Sequence, residues 1–231
     1  MTLAGIGHIF NLVGQHFEVK HMNPSKTLSE QLFEEFLTKN GLPFDRIPEE
    51  NSPRPDYIVT FGIDKIIFEV KELSEDENFS KEPFKVSSRK IGEHIRSAIR
   101  KSSKQIQYGA NQGIPSVLLV YNNIDRHHLF GTEPHDFECA MYGEYTVTCC
   151  RLTKEISEGH HGKNSLLRED NKTHFSAIGH LHPNKGEWKI TIYENIFAKF
   201  PLSYERVPSC FDIIRVIIDN TPLSFHFLLQ H

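Results

Sequence analysis

The chain has 231 residues, a hydrophobic fraction of 38% that includes 17 Phe, and a formal net charge of −4. That composition can bury the core of one large domain and excludes a disordered chain; no apolar run approaches the ~20 residues of a membrane-spanning helix, so no membrane association is expected. The mild acidity gives no global attraction for nucleic acid, and any such binding needs a local basic patch.

Residues 1–24 read as an N-terminal extension. Their apolar stretch has no basic residue ahead of it, unlike a signal peptide. Cys139, Cys149, Cys150 and Cys210 lack CxxC spacing and read as reduced thiols, so a cytoplasmic location is expected. The core is expected over 25–122. It opens with a helix over Ser25–Gly41, where Leu28, Leu32, Phe33, Phe36 and Leu37 form an apolar stripe, Thr27 and Glu30 a capping box, and Gly41 a stop. After the turn-rich LPFDRIPEENSPRP, the runs Tyr57–Phe61 and Ile66–Val70 read as a hairpin through GIDK. A long polar helix is expected over about Ser87–Ala110, then a buried strand at Ser116–Tyr121. Residues 123–172, rich in His, Gly and charge, read as an insertion or irregular lobe. In 173–231 a hairpin turning at PNKG and a strand at FDIIRVIID would complete or extend the core. This order predicts an α/β fold: a central mixed β-sheet flanked by helices, with a C-terminal β-containing extension.

Hydrolysis of a phosphodiester needs charge neutralisation at the phosphate and a deprotonated water, both of which a hard cation on carboxylates supplies. A lysine beside it can orient the water and stabilise developing charge. Residues two apart on a strand share a face, so Glu-x-Lys can aim both groups at one substrate. That pattern occurs at Glu18–Lys20, Glu69–Lys71 and Glu187–Lys189. The first has no acid in positions 1–17, and the third follows the PNKG turn, where solvated charges are expected. Only the second has a carboxylate one hairpin away. Twelve residues separate it from Asp56, which stands in the chain's single Pro-Asp dipeptide.

Pro55-Asp56, twelve residues, then Glu69-Val70-Lys71 resembles the PD-(D/E)xK nuclease superfamily, whose fold is restriction-endonuclease-like. The resemblance covers about Leu28–Tyr121. It implies Mg²⁺, with Mn²⁺ as a substitute, on Asp56, Glu69 and the Val70 carbonyl, and Lys71 as the residue that positions or activates water. Glu30 would complete the catalytic set from the preceding helix. Independently of the family, Glu30 sits only ~20° around that helix from Leu37, at the rim of the apolar stripe. By the same resemblance the substrate is a nucleic acid, DNA before RNA, and a homodimer would pair two sites for a double-strand cut.

Between residues 81 and 104, eight Lys and Arg stand against two Glu. Arg89, Lys90, Arg96, Arg100, Lys101 and Lys104 are therefore expected to track a phosphate backbone, although such a run can equally be a solvated helix face. Gln105 matches, by resemblance, a residue that approaches the site in some nucleases of the superfamily. The paired histidines lack zinc-ligand spacing, and phosphate-loop, GxSxG and heptad patterns are absent. Two other readings stand beside the nuclease. One is a catalytically silent module on the same fold that binds nucleic acid or a partner; the other is an α/β interaction protein in which the hairpin is coincidence.

Overall fold

The computed structural model describes residues 26–48, 52–74, 90–124, 130–156, 159–219 and 224–230. The first Glu-x-Lys, Glu18–Lys20, therefore lies outside the described residues, as do Lys81, Lys85 and Arg89.

The chain runs α1 (Leu28–Lys39), β1 (Phe44–Arg46), β2 (Tyr57–Phe61), β3 (Asp64–Leu73), α2 (Glu93–Lys101), α3 (Ser103–Asn111), β4 (Ser116–Asn122), α4 (Pro134–Tyr142), β5 (Glu144–Thr146), β6 (His160–Lys163), β7 (Ala177–Asn184), β8 (Glu187–Glu194), a 3-10 turn (Tyr204–Arg206), β9 (Phe211–Asp219) and β10 (Ser224–Gln230). Eight strands form one sheet in the order β1-β2-β3-β4-β7-β8-β9-β10, and β5 pairs with β6 apart from it. The sheet is mixed: β3–β4, β4–β7 and β8–β9 are parallel, and the other pairs are antiparallel. Helices cover it, and the protein is α/β as its element order predicts.

Side-chain alternation separates two cores. Phe68, Val70, Val117 and Leu119 point to the side of α1, where they meet Phe33 and Leu37. Leu118 and Val120 point to the other side, against Ile95, Ile99 and Ile106 of α2 and α3 and Phe137 of α4. Strand β4 is buried along its whole length, as a strand with parallel neighbours on both sides must be. Gly109 lets α3 press onto the sheet, because a Cβ there would collide with Ser116 Oγ and Ile67 Cδ1. Among the described residues no helix is long and apolar enough to cross a membrane.

Helix α1 carries both arms of its capping box, and the β7–β8 hairpin turns on Lys185 and Gly186, both at positive φ. Four elements depart from expectation. The single long helix is two: α2 starts only after Gly92, at φ 74°, and ends at Ser102. The Ser102 hydroxyl donates to the Ala98 carbonyl at 2.7 Å, a local bond that competes with helix continuation. The lobe at 123–172 contains α4, opened by Pro134 and a Glu133/Asp136 capping box, whose Phe137, Ala140 and Met141 are core residues. The turn-rich stretch before Asp56 contains the short edge strand β1. Strand β10 closes the far edge beside β9.

Candidate active site

Strand β3 outruns β2. The last paired residues are Tyr57 and Phe68; the Asp56 N–H still donates to the Phe68 carbonyl at 3.1 Å, and its carbonyl accepts from the Ile47 N–H at 2.8 Å. Beyond that point the Asp56 side chain takes over from the backbone, with Oδ2 accepting the Val70 N–H at 2.7 Å. The N–H and C=O of a strand residue point to the same edge, so the Val70 carbonyl opens toward Asp56.

Phe68 and Val70 enter the α1-side core, which turns Glu69 and Lys71 to the face of α2 and α3. Glu69 is 1% exposed and Lys71 33%. The Lys71 ammonium sits 2.5 Å from Glu69 Oε1, while Glu69 Oε2 is buried without a hydrogen-bond partner. Burial pushes the Glu69 carboxyl up to about 8, and repulsion from Asp56 adds to it against the pull of Lys71. Burial also raises the Asp56 carboxyl, with Glu30 adding repulsion; the Val70 N–H, Lys71 and Arg46 oppose it. Two neighbouring carboxyls that are costly to ionise together, one with an oxygen left bare, suit a divalent cation, which would relieve both the burial and the repulsion. Among the described residues no three His, Cys, Asp or Glu side chains gather as a ready ligand set. The groups here that could hold such a cation are the two carboxylates and the Val70 carbonyl.

Glu30 stands one layer back. Its Oε2 accepts from the Thr27 N–H at 2.7 Å and the Thr27 hydroxyl at 3.0 Å, and its Oε1 lies 2.8 Å from the Arg46 guanidinium. It acts on Asp56 through charge. Three further groups escaped the sequence reading. Glu34, which the helical wheel places toward solvent, accepts from the Tyr57 hydroxyl at 2.9 Å and pairs with Lys26 at 2.6 Å. Glu72 accepts from the Ser29 N–H at 3.2 Å and the Asn123 side chain at 2.7 Å, tying α1 and β4 to the end of β3. Arg54 lies 5.6 Å over the Tyr108 ring, so α3 borders the approach to Asp56. Gln105 lies one helical turn from Tyr108, and its side-chain oxygen is buried without a hydrogen-bond partner. A charged residue immediately before Pro-Asp was the one cue to Arg54; nothing local marks Glu72.

No protein-family model, curated protein or solved structure matches the chain.

Of the basic residues, Lys90, Arg100, Lys101 and Lys104 are exposed along α2 and α3 or just ahead of them. Arg96 is a correction. It is 2% exposed, and its guanidinium donates to the carbonyls of Ile91 (2.7 Å), Cys139 (3.0 Å) and Asn164 (3.1 Å). It clamps α2 to α4 and the β6 end and cannot meet a phosphate. Glu187 and Lys189, the third Glu-x-Lys, pair outward with Lys39 and Asp212.

Proposed function

We propose that the chain is a Mg²⁺- or Mn²⁺-dependent nuclease of the PD-(D/E)xK kind, with DNA as the first substrate to test. One observation carries this: two adjoining carboxyls, Asp56 half-buried and Glu69 buried, the latter bearing an unpartnered oxygen, with Lys71 on the same strand face. Asp56, Glu69 and the Val70 carbonyl would hold the cation. Bound there, the metal supplies positive charge for the scissile phosphate and acidifies a water.

The chain's own residues do the rest. The Val70 N–H fixes one oxygen of Asp56, whose carboxyl acts on that of Glu69. Lys71 holds Glu69 Oε1 with one of three ammonium donors and keeps two for a water or phosphate oxygen. Its partial exposure leaves it within reach of substrate. Burial of Glu69 keeps bulk water from screening the charges. The exposed Lys90, Arg100, Lys101 and Lys104 offer the sequence-independent attraction that the acidic chain otherwise lacks.

Plasmid cleavage with Mg²⁺, Mn²⁺ or EDTA, run beside Asp56→Asn and Lys71→Ala, tests the assignment. Cleavage that needs the cation and is lost in both variants is expected. Activity that survives the substitutions would refute the site, and DNA binding without cleavage in either metal would leave a silent binding module.

A further inference from the structure

We propose that Arg100, Ser103, Lys172 and His174 form a phosphate subsite, distinct from the Asp56–Glu69 pair, that takes a backbone phosphodiester of nucleic acid. The choice of nucleic acid as the source rests on the function proposed above; the anion chemistry does not.

The cluster is built across two segments. Ser103 opens α3, and the Lys172 ammonium donates to its Oγ at 2.6 Å. The same Oγ lies 2.9 Å from His174 Nε2. The segment carrying Lys172 and His174 is held by two backbone bonds, Phe175 N–H to the Lys172 carbonyl at 3.2 Å and Lys199 N–H to the Thr173 carbonyl at 2.7 Å. Lys172 adopts φ 58°, a left-handed conformation unfavourable for a residue with a Cβ. A lysine serving only solubility would extend into water; this one is bent inward and anchored.

Burial, followed by repulsion from Arg100, lowers the Lys172 ammonium below the usual lysine range, and no Asp or Glu among the described residues forms an ion pair with it. Among the described residues Arg100 pairs only with Glu93, at 2.9 Å, and both side chains are about half exposed, so that pair is weak. Burial, with Lys172 adding to it, brings His174 down to about 4, which leaves its ring neutral at physiological pH.

Ser103 Oγ accepts from Lys172 and shares a hydrogen bond with His174 Nε2 whose direction follows the ring tautomer. Lys172 keeps two ammonium N–H groups to offer, and the Arg100 guanidinium adds further donors. Two cations presenting donors repel other cations and fit the acceptor oxygens of a phosphate. Arg100, close enough for its charge to act on Lys172, also stands in the exposed Arg100–Lys101–Lys104 ridge, so one strand of nucleic acid lying on the ridge would lead a phosphate toward Lys172.

Binding to the full chain in EDTA tests this without calling on catalysis. A labelled DNA duplex and a labelled single strand are titrated by fluorescence anisotropy over a range of salt, and inorganic phosphate is titrated against the His174 ring resonances by NMR. Lys172→Gln and Arg100→Gln are each expected to weaken DNA binding about three- to tenfold and to reduce the slope of log affinity on log salt by about 1. Lys172→Arg should retain binding, and Lys163→Gln, the same charge change at an exposed lysine on β6, should not alter it. Phosphate should shift His174 in the unsubstituted protein, a readout that stands even where Lys172→Gln fails to fold. If phosphate moves His174 but neither glutamine variant alters DNA affinity, the nucleic-acid source is overturned in favour of free phosphate. If neither probe responds, the subsite itself is overturned. Because metal is absent throughout, a protein that never cleaves DNA can still pass or fail.

Discussion

The Asp56 carboxylate accepts the Val70 N–H at 2.7 Å, two residues beyond the last backbone pair of β2 with β3. One side chain thus extends the ladder and stands beside Glu69, and its structural and chemical duties can be separated. Asparagine keeps a carbonyl oxygen for the Val70 N–H, whereas alanine leaves that N–H unpaired in a buried strand. Asp56→Ala should cost about 1–3 kcal/mol of stability, and Asp56→Asn much less. Cleavage should fall by roughly a hundredfold or more in both, since either removes a metal ligand. Urea denaturation beside plasmid cleavage checks the pair; equal destabilisation by the two variants would deny Asp56 its role in the ladder.

A second expectation concerns pH. The ordinary Glu value is 4.5, and folding raises Glu69 to about 8. Between those values the folded protein holds a proton that the unfolded chain has released, so stability falls as pH rises through that window and levels off above it. Asp56, also raised, contributes in the same direction. A bound divalent cation favours the ionised pair and should reverse the trend, adding about 2.7 kcal/mol at a hundredfold excess over its Kd. Thermal unfolding in EDTA should therefore show a lower Tm at about pH 9 than at about pH 6, with Mg²⁺ recovering most of the loss. Glu69→Gln should flatten the profile and abolish the Mg²⁺ increment. A Mg²⁺ effect that persists in Glu69→Gln would place the ion elsewhere.

What could be read from the sequence was what local chemistry decides. The α1 stripe and its Thr27/Glu30 box, the β2–β3 hairpin and the Lys185–Gly186 turn depend on residues within a few positions of one another, and all appear in the structure. The pairing of Asp56 with Glu69 was legible for the same reason, with only a hairpin between them. The failures depend on distant contacts. Arg96 looks like one more charge in a basic run until α4 supplies the Cys139 carbonyl, and α4 itself was hidden in a His-rich, Gly-rich stretch. The break at Ser102 turns on a side-chain rotamer, and the grouping of Ser103 with Lys172 joins residues 69 apart.

The basic run accordingly divides into structural and binding residues. Arg96→Met leaves three carbonyls without their donor and should cost about 2–4 kcal/mol of stability. It should not alter the salt dependence of DNA binding by the folded fraction. Lys101→Gln with Lys104→Gln should do the opposite, reducing the salt slope by up to about 2 while changing stability by less than about 0.5 kcal/mol. Chemical denaturation and anisotropy on the same preparations make the comparison. A loss of salt dependence in Arg96→Met would restore that residue to the binding surface.

Glu30 offers the sharpest distinction between a supporting acid and a ligand. Both of its oxygens are engaged, one by Thr27 and one by Arg46, yet its charge still raises Asp56. Glutamine can sustain the capping box but not the ion pair with Arg46. Glu30→Gln should therefore cost less than about 1 kcal/mol, and Glu30→Ala, which also loses the cap, about 1–2 kcal/mol. With the repulsion gone and Arg46 freed, Asp56 ionises more readily, so the acid limb of the pH–rate profile should move to lower pH in Glu30→Gln. Cleavage above that limb should fall only about tenfold, the scale of a lost supporting contact. If Glu30→Gln instead abolishes cleavage at every pH as completely as Asp56→Asn, Glu30 gives up Arg46 and binds the cation directly.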